Sequence, residues 1–212
     1  MQINEISISQ DIKTLLISDI EKLIAKYNWH FLGSGHEAAV AEHPNKTYVL
    51  KIFKAESFYN YFVRLAQHYQ NNPHFPKFYS KVKTIPGASH WHFIRMEKLE
   101  PITDELLLSE YQPELFYLCE SAKKALLPGG LMMYNKELKA IAGKEYNFDY
   151  NPLQKPQPEI WEYVSQPWEK WKQAADAVTK QAARLKLLNL DLHEANFMRR
   201  GETLVFLDPY VE

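Results

Sequence analysis

The segment LDLHEANF places an aspartate and an asparagine, Asp191 and Asn196, five residues apart. At this spacing a carboxylate and a carboxamide can share one site, with the carboxylate near an attacking hydroxyl and the carboxamide on Mg²⁺. A second carboxylate, Asp208, follows the apolar run LVFL. An aspartate at the end of a buried strand offers a hard oxygen ligand, so it would complete a magnesium site. The structural alternative is a helix-capping aspartate and a turn asparagine.

A lysine, Lys51, lies in the middle of the otherwise apolar run YVLKIF. Burying an ammonium group costs free energy unless an anion lies beside it, and the phosphates of a nucleotide are such anions. The alternative interpretation is a strand whose lysine faces solvent.

Two glycines, Gly33 and Gly35, flank Ser34 between two predicted strands, and Val40 completes a G-x-G-x-x-A-x-V pattern. Glycine has no Cβ, so phosphate oxygens can approach the neighbouring backbone N–H groups closely. The pattern alone also fits an ordinary hairpin turn. A strand is predicted to follow it, which argues against a dinucleotide site of the Rossmann type, where a helix should follow.

Hydrophobic periodicity predicts the elements that must position these residues. One amphipathic helix is predicted over residues 9–27, and a second over residues 56–70, where the prolines of NNPHFP end it. Five strands are predicted, the last two joined by the turn PGAS: residues 29–32, 38–41, 47–53, 77–85 and 90–98.

Beyond Pro101 the pattern becomes helical. Helices are predicted over residues 103–127 and 167–188, and a loop-rich insertion at residues 128–160 separates them. The predicted fold class is therefore α+β. Residues 1–100 are predicted to form a strand-rich domain, and residues 101–212 a mainly helical one.

Composition excludes several classes of partner. The formal net charge of −1 gives no long-range field that would draw the protein onto nucleic acid or an anionic membrane. No segment reaches the roughly 18 apolar residues of a membrane span, and the amino terminus lacks the basic start of a secretory signal. The single cysteine, Cys119, is predicted to be a core thiol. We therefore expect a cytoplasmic protein with neither nucleic-acid nor membrane partners.

Taken in order, four segments resemble motifs of the protein-kinase-like superfamily. GSGHEAAV is similar to its glycine-rich loop, VLKIFK to its strand lysine, LDLHEANF to its catalytic loop and VFLDP to its metal-binding DFG region. PHFPKFY and FIRMEKLEP resemble the link between the C-helix and the fourth strand, and the fifth strand with the hinge. The resemblance implies a minimal bilobal kinase fold, with a C-helix in the first lobe and a truncated second lobe.

The resemblance implies ATP and Mg²⁺ as cofactors, and it implies a role for each of the four polar residues. Asp191 would orient or deprotonate the acceptor hydroxyl. Asn196 and Asp208 would bind Mg²⁺, and Lys51 would bind the α and β phosphates.

The resemblance also implies a set of residues around the nucleotide. Met96 would be the gatekeeper, and Glu97 and Leu99 would offer backbone groups to adenine. The whole set comprises Gly33, Ser34, Gly35, Val40, Lys51, Met96, Glu97 and Leu99.

The acceptor class has two interpretations. The combination of GSGHEAAVAEHP, DLHEAN and LDP most resembles the short early serine/threonine kinases of lytic podophages, which implies a protein substrate and, for a phage-encoded chain, the host cytoplasm. The catalytic-loop form DLHxxN is also similar to that of aminoglycoside and choline phosphotransferases, so a small-molecule acceptor is the alternative. A third interpretation is a pseudokinase or an interaction module.

Two departures from the kinase pattern have consequences. Asparagine and leucine precede Asp191 where many protein kinases have histidine and arginine, so we expect activity that does not depend on activation-loop phosphorylation. The acidic residue of the second predicted helix is Glu56, nearly two turns before the position of the usual glutamate. Either Glu56 reaches Lys51 from this unusual position, or the ion pair is absent.

Overall fold

The computed structural model describes residues 17–35, 37–102, 114, 117–118, 121, 165–187, 190–191 and 196–210. The chain forms two compact units. The first comprises residues 1–67 and 76–99, and the second comprises residues 68–75 and 100–212. The short segment 68–75 therefore belongs to the second unit, whereas the sequence pattern assigned it to the first domain.

The first unit is built on an antiparallel sheet of five strands in the order β1-β2-β3-β5-β4. Its strands are β1 (His30–Ser34), β2 (Ala38–Glu42), β3 (Tyr48–Lys54), β4 (Lys83–Ile85) and β5 (Ala88–Glu97). Alternating apolar residues favour this half-buried, pleated arrangement. The predicted mixed fold with a five-stranded antiparallel sheet is confirmed.

Helix α1 (Ile17–Lys26) packs on one face of this sheet. Its buried residues Ile20 and Ile24 are four positions apart and join the same core cluster as Leu50 and Ile52 of β3. The helix ends at Asn28, which has a φ of 56°. Asparagine tolerates this left-handed conformation, and the N–H of Trp29 then bonds to the carbonyl of Ile24 at 3.1 Å.

Helix α2 (Tyr59–His68) connects β3 to β4 along the chain. Its buried residues follow helical spacing: Tyr59, Phe62, Val63 and Ala66. The Tyr59 ring meets the Phe53 ring of β3 at 4.8 Å between centroids. The predicted start at residue 56 was too early, because the Ser57 hydroxyl accepts a hydrogen bond from the N–H of Tyr59 at 3.2 Å and caps the helix.

The fourth predicted strand, residues 77–85, is shorter than expected. Ladder pairing of β4 begins at Lys83, while Phe78 makes an isolated bridge to Met96. Between them the Ser80 hydroxyl accepts a hydrogen bond from the N–H of Arg95 at 3.0 Å. A side chain thus takes up a backbone donor that a regular ladder would use, and the strand is interrupted.

The second unit contains a small antiparallel sheet in the order β6-β7-β8 and one long helix. Its elements are β6 (Glu100–Pro101), α3 (Ser165–Arg184), β7 (Phe197–Arg200) and β8 (Thr203–Phe206). Gly201, at the β7–β8 turn, has a φ of 58°. A glycine at the first position of a two-residue hairpin turn suits this conformation. A tight turn therefore closes the β7–β8 hairpin, and the segment that carries Asp208 follows β8.

An aromatic stack forms the centre of the second unit. The rings of Trp171 on α3 and Phe206 on β8 lie 4.9 Å apart and nearly parallel, at 4°. The edge of the His74 ring meets Trp171 at 5.1 Å, and the indole N–H of Trp171 donates to the carbonyl of Glu114 at 2.8 Å. Trp171 is 0% exposed. The stack therefore fixes β8 against the helix.

The segment 68–75 is bound to the second unit through polar contacts. The carbonyl of His74 accepts a hydrogen bond from the N–H of Phe206 at 3.0 Å, and the His74 ring bonds to the carbonyl of Leu204 at 2.7 Å. The Arg200 guanidinium donates to the carbonyls of Pro73 and Phe75 at 2.7 and 3.1 Å. Buried carbonyls need such donors, so these bonds hold the segment along the hairpin.

We expect the Trp171→Ala substitution to lower the free energy of unfolding by about 3–5 kcal/mol, because it leaves a cavity between α3 and β8 and removes the donor for the Glu114 carbonyl. Urea unfolding followed by circular dichroism measures the change. Glu169→Ala, at an exposed position of the same helix, is the control and should shift stability by no more than about 0.5 kcal/mol. A loss below about 1 kcal/mol for Trp171→Ala would contradict the packing described.

Several predicted elements lie wholly or largely outside the described residues: most of the helix at 103–127, the insertion at 128–160 and the first part of the helix at 9–27. The second long helix runs from 165 to 184 instead of 167 to 188. It ends early because Lys186 has a left-handed φ of 58° and the N–H of Leu187 bonds back to the carbonyl of Ala182. None of the described helices is long and apolar enough to cross a bilayer.

Candidate active site

Asp191 is held in place through its backbone. Its neighbour Leu190 makes a β-bridge to Tyr210, and the N–H of Asp191 donates to the carbonyl of Pro209 at 2.9 Å. Tyr210 is buried, and burial raises the pKa of its hydroxyl well above the usual value. The neutral hydroxyl donates to the carbonyl of Val178 on α3 at 3.4 Å. The half-buried Asp191 is thus anchored directly beside the segment that carries Asp208.

Asn196 connects the two aspartate segments. Its side-chain amide donates to the backbone carbonyl of Asp191 at 3.3 Å. Its own backbone carbonyl accepts the N–H of Leu207, the residue before Asp208, at 2.8 Å. One asparagine therefore bonds to both segments, and the structure brings Asp191, Asn196 and Asp208 together within the second unit.

The donor set at this place suits a hard divalent cation. Because the Asn196 amide nitrogen is used by Asp191, its amide oxygen is the atom that a cation would bind. This oxygen and the Asp208 carboxylate are the ligand types that Mg²⁺ prefers. Among the described residues no three His, Cys, Asp or Glu side chains form a metal cluster.

Lys51 lies in the first unit, at the centre of β3. It pairs with Val40 of β2 and with Ile94 of β5, and it is 4% exposed. Its ammonium group lies 3.7 Å from the centre of the Tyr59 ring on α2. The strand-facing-solvent alternative for Lys51 is therefore wrong.

Met96 and Glu97 are the last two residues of strand β5. Met96 is 2% exposed and accepts a hydrogen bond from the Tyr59 hydroxyl at 3.7 Å. The N–H of Glu97 donates to the carbonyl of Lys77 at 2.9 Å, and the Glu97 carboxylate accepts the N–H of Lys77 at 2.7 Å. Leu99 follows, 8% exposed and outside both neighbouring strands.

The glycine-rich segment forms the β1–β2 hairpin. The N–H of Gly35 donates to the carbonyl of Ala38 at 2.9 Å. Glu37 joins the hairpin to the end of β3, because its carboxylate pairs with the Lys54 ammonium at 2.9 Å and its carbonyl accepts the Lys54 N–H. Ser34, at the end of β1, is exposed and bonds to Glu21 of α1 at 3.2 Å.

The backbone conformation at Gly33 and at Gly35 does not require glycine. Gly33 and Gly35 lack the positive φ that favours glycine, and a Cβ added to either would meet no atom within 4 Å. The space beside both glycines is therefore open on the side where a Cβ would lie.

Glu56 precedes α2 and is exposed. Burial lowers the pKa of His92, and the negative charge of Glu56 partly opposes that shift. Glu56 thus lies close enough to His92 to act on its charge, while the α2 residue that contacts Lys51 is Tyr59. Sequence reasoning missed Tyr59 because it considered acidic residues alone as partners for Lys51.

No family model and no curated protein matches this sequence. The solved structures that are similar to the chain include two phosphotransferases. The aminoglycoside phosphotransferase APH(4)-Ia is 12% identical, over 91% of this chain and 71% of that one, with a TM-score of 0.39. The streptomycin-ATP-APH(2")-IIa ternary complex is 16% identical, over 92% of this chain and 70% of that one, with a TM-score of 0.29.

Proposed function

We propose that this protein is an ATP- and Mg²⁺-dependent phosphotransferase that transfers the γ-phosphoryl group to an alcohol hydroxyl. The observation that carries the proposal is the set of backbone and side-chain hydrogen bonds that join Asp191 and Asn196 to each other and to Leu207 and Pro209, the two neighbours of Asp208. A carboxylate for the acceptor hydroxyl and two oxygen ligands for a cation are the parts that phosphoryl transfer requires from a protein. The buried Lys51 supplies the fixed positive charge for the nucleotide phosphates.

The chemistry is positioning and charge neutralisation. Asp191 accepts the hydrogen bond of the acceptor hydroxyl, whose oxygen forms a bond to the γ-phosphorus while the bond to the β–γ bridging oxygen breaks. The hydroxyl proton passes to Asp191 and then to solvent, and ADP leaves. Mg²⁺ bound by Asn196 and Asp208 would neutralise charge on the β and γ phosphates. Lys51 binds the α and β phosphates.

The adenine end of the nucleotide is assigned to the end of β5. Met96 borders the adenine pocket as gatekeeper. The N–H of Glu97 is already used by Lys77, so its carbonyl is the group it offers to adenine. Leu99 supplies the second backbone group. Gly33, Ser34, Gly35 and Val40 of the β1–β2 hairpin cover the phosphates.

The acceptor is first proposed to be a serine or threonine side chain of a protein, as the resemblance to phage kinases implies. A small-molecule alcohol is the alternative that DLHxxN favours. A pseudokinase or interaction module remains the third interpretation, and it predicts no phosphoryl transfer at all.

Incubation of the purified protein with γ-labelled ATP and Mg²⁺ separates these functions. We expect label to move to serine or threonine in protein bands of a cell lysate. Label that moves only to compounds in a protein-free metabolite pool supports the small-molecule alternative. If the protein transfers label in neither mixture, the phosphotransferase proposal is wrong. Omission of Mg²⁺ serves as the control for the metal requirement.

The Gly35→Ala substitution should weaken ATP binding while the fold remains intact. A methyl group over the hairpin backbone would hold phosphate oxygens away, and the loss of one charge-assisted hydrogen bond corresponds to about 10- to 100-fold in affinity. Stability should change by about 1 kcal/mol or less, because the position has ordinary φ and open space.

Calorimetric titration with ATP and thermal unfolding measure these two effects. Gly87→Ala is the contrasting variant, because Gly87 has a φ of 80° and should lose stability instead of nucleotide affinity. Unchanged ATP affinity in Gly35→Ala would show that the hairpin does not bind the phosphates.

A further inference from the structure

Tyr59 contacts two residues that the proposed function assigns to nucleotide binding, Lys51 and Met96. Its ring centre lies 3.7 Å from the ammonium nitrogen of Lys51, and its hydroxyl donates to the sulfur of Met96 at 3.7 Å. We propose, on the basis of the proposed function, that Tyr59 is a positioning residue that holds Lys51 for phosphate binding through a cation–π contact.

The burial of Lys51 makes the contact strong. An ammonium group over the face of a tyrosine ring is attracted by the negative face of the ring, and the attraction grows when water is excluded. Lys51 is 4% exposed and Tyr59 is 1% exposed, so water is excluded from both. The ring is neutral, so this contact does not itself cancel the positive charge of Lys51.

The ring itself is fixed from several sides. It meets Phe53 at 4.8 Å with an interplanar angle of 71°, and it meets Phe62 at 5.8 Å. The backbone N–H of Tyr59 is capped by the Ser57 hydroxyl at 3.2 Å. A ring held by aromatic neighbours and by its own hydroxyl keeps one rotamer, so the direction of its face is set before nucleotide binds.

The side chain of Tyr59 links three elements of the first unit. Tyr59 is the first residue of α2, Lys51 lies in the centre of β3, and Met96 lies near the end of β5. Tyr59 thus connects the start of α2 to Lys51, which is assigned to the phosphates, and to Met96, which is assigned to the adenine pocket. A change in the first turn of α2 would act on both.

Two variants test the role. Tyr59→Leu removes the aromatic face, and Tyr59→Phe keeps the face and removes the hydroxyl. We expect Tyr59→Leu to weaken Mg-ATP binding by about 10- to 30-fold and to leave adenosine binding within about threefold, because adenosine has no phosphates for Lys51. Tyr59→Phe should keep both affinities within about threefold.

A double-mutant comparison separates positioning from a structural role. In a Lys51→Met background, Tyr59→Leu should cause little further loss of Mg-ATP affinity, since both changes remove the same interaction. Equal losses of Mg-ATP and adenosine affinity in Tyr59→Leu would show that Tyr59 only shapes the pocket at Met96 and would overturn the proposal.

A measurement on the unsubstituted protein does not depend on whether Tyr59→Leu folds. The methylene protons next to the Lys51 ammonium should show an upfield ring-current shift in a lysine-selective NMR spectrum, assigned by the signal that Lys51→Met removes. Unshifted protons would overturn the proposal. If the unsubstituted protein does not bind Mg-ATP, the proposed function itself fails, while unaltered Mg-ATP binding in Tyr59→Leu refutes the role of Tyr59 alone.

Discussion

The Asp191→Asn protein is expected to lose a factor of about 10²–10⁴ in kcat, because asparagine cannot accept the proton of the attacking hydroxyl. The substitution keeps the side-chain size. The hydrogen bonds of residue 191 to Pro209 and to the Asn196 side chain use backbone atoms, so they survive the change. Mg-ATP affinity should therefore stay within about threefold of the unsubstituted value. Initial-rate kinetics with the acceptor from the labelling experiment, together with calorimetric titration, measure both quantities.

The matched control for this variant is Glu202→Gln. Glu202 is an exposed carboxylate at the β7–β8 turn of the same unit, so its loss removes one negative charge without touching the three grouped residues. We expect Glu202→Gln to keep full activity. Full activity in Asp191→Asn would show that Asp191 does not handle the acceptor hydroxyl, and the assigned roles would be wrong.

Asp208→Asn should also lower kcat, by about 10²–10³-fold, and here the cause is weaker binding of the metal. An uncharged carboxamide binds Mg²⁺ more weakly than a carboxylate, so the Mg²⁺ concentration needed for half-maximal rate should rise. Asp191→Asn, in contrast, should leave the Mg²⁺ requirement unchanged. Rates measured across a Mg²⁺ series at fixed ATP distinguish the two variants.

A second metal makes the test sharper. If Asp208 binds the cation, replacing Mg²⁺ by Mn²⁺, which accepts nitrogen and oxygen ligands more readily, should restore part of the rate in Asp208→Asn and none of it in Asp191→Asn. Equal behaviour of the two variants across both metal series would remove Asp208 from the proposed metal site.

The sequence predicted the first unit well because its signals are local. The helices show apolar residues at helical spacing, the strands are short apolar runs, and turn residues separate them. Lys51 in an apolar run indicated a buried cation, and the structure gives it 4% exposure. The order of Asp191, Asn196 and Asp208 along the chain indicated one site, and that site stays a prediction. In the structure, Asn196 bonds to Asp191 and to Leu207, the residue before Asp208.

The sequence did not predict features that depend on contacts between distant segments. The segment 68–75 has the helix-ending signal of a loop, but its place in the second unit is decided by Trp171, Phe206 and Arg200, which lie about a hundred or more residues away. Strand β7 was not predicted, although Gly201 directly after it is a turn signal.

The contact between Lys51 and Tyr59 could not be predicted from the sequence pattern either. Spacing can locate a missing glutamate, but it cannot show which face of α2 an aromatic ring presents to β3. The sequence pattern gave Tyr59 no role, and by burial it is a core residue. Only the 3.7 Å distance between its ring centre and the Lys51 ammonium indicates a second role.

The most direct test is a crystal structure with Mg²⁺ and a non-hydrolysable ATP analogue. The proposal predicts one Mg²⁺ with the Asn196 amide oxygen and the Asp208 carboxylate at about 2.0–2.1 Å, and the Lys51 ammonium within about 3 Å of an α- or β-phosphate oxygen of the same nucleotide. Asp191 should face the γ-phosphate. A nucleotide that binds elsewhere, or that is contacted by Lys51 without the three residues of the second unit, would contradict it.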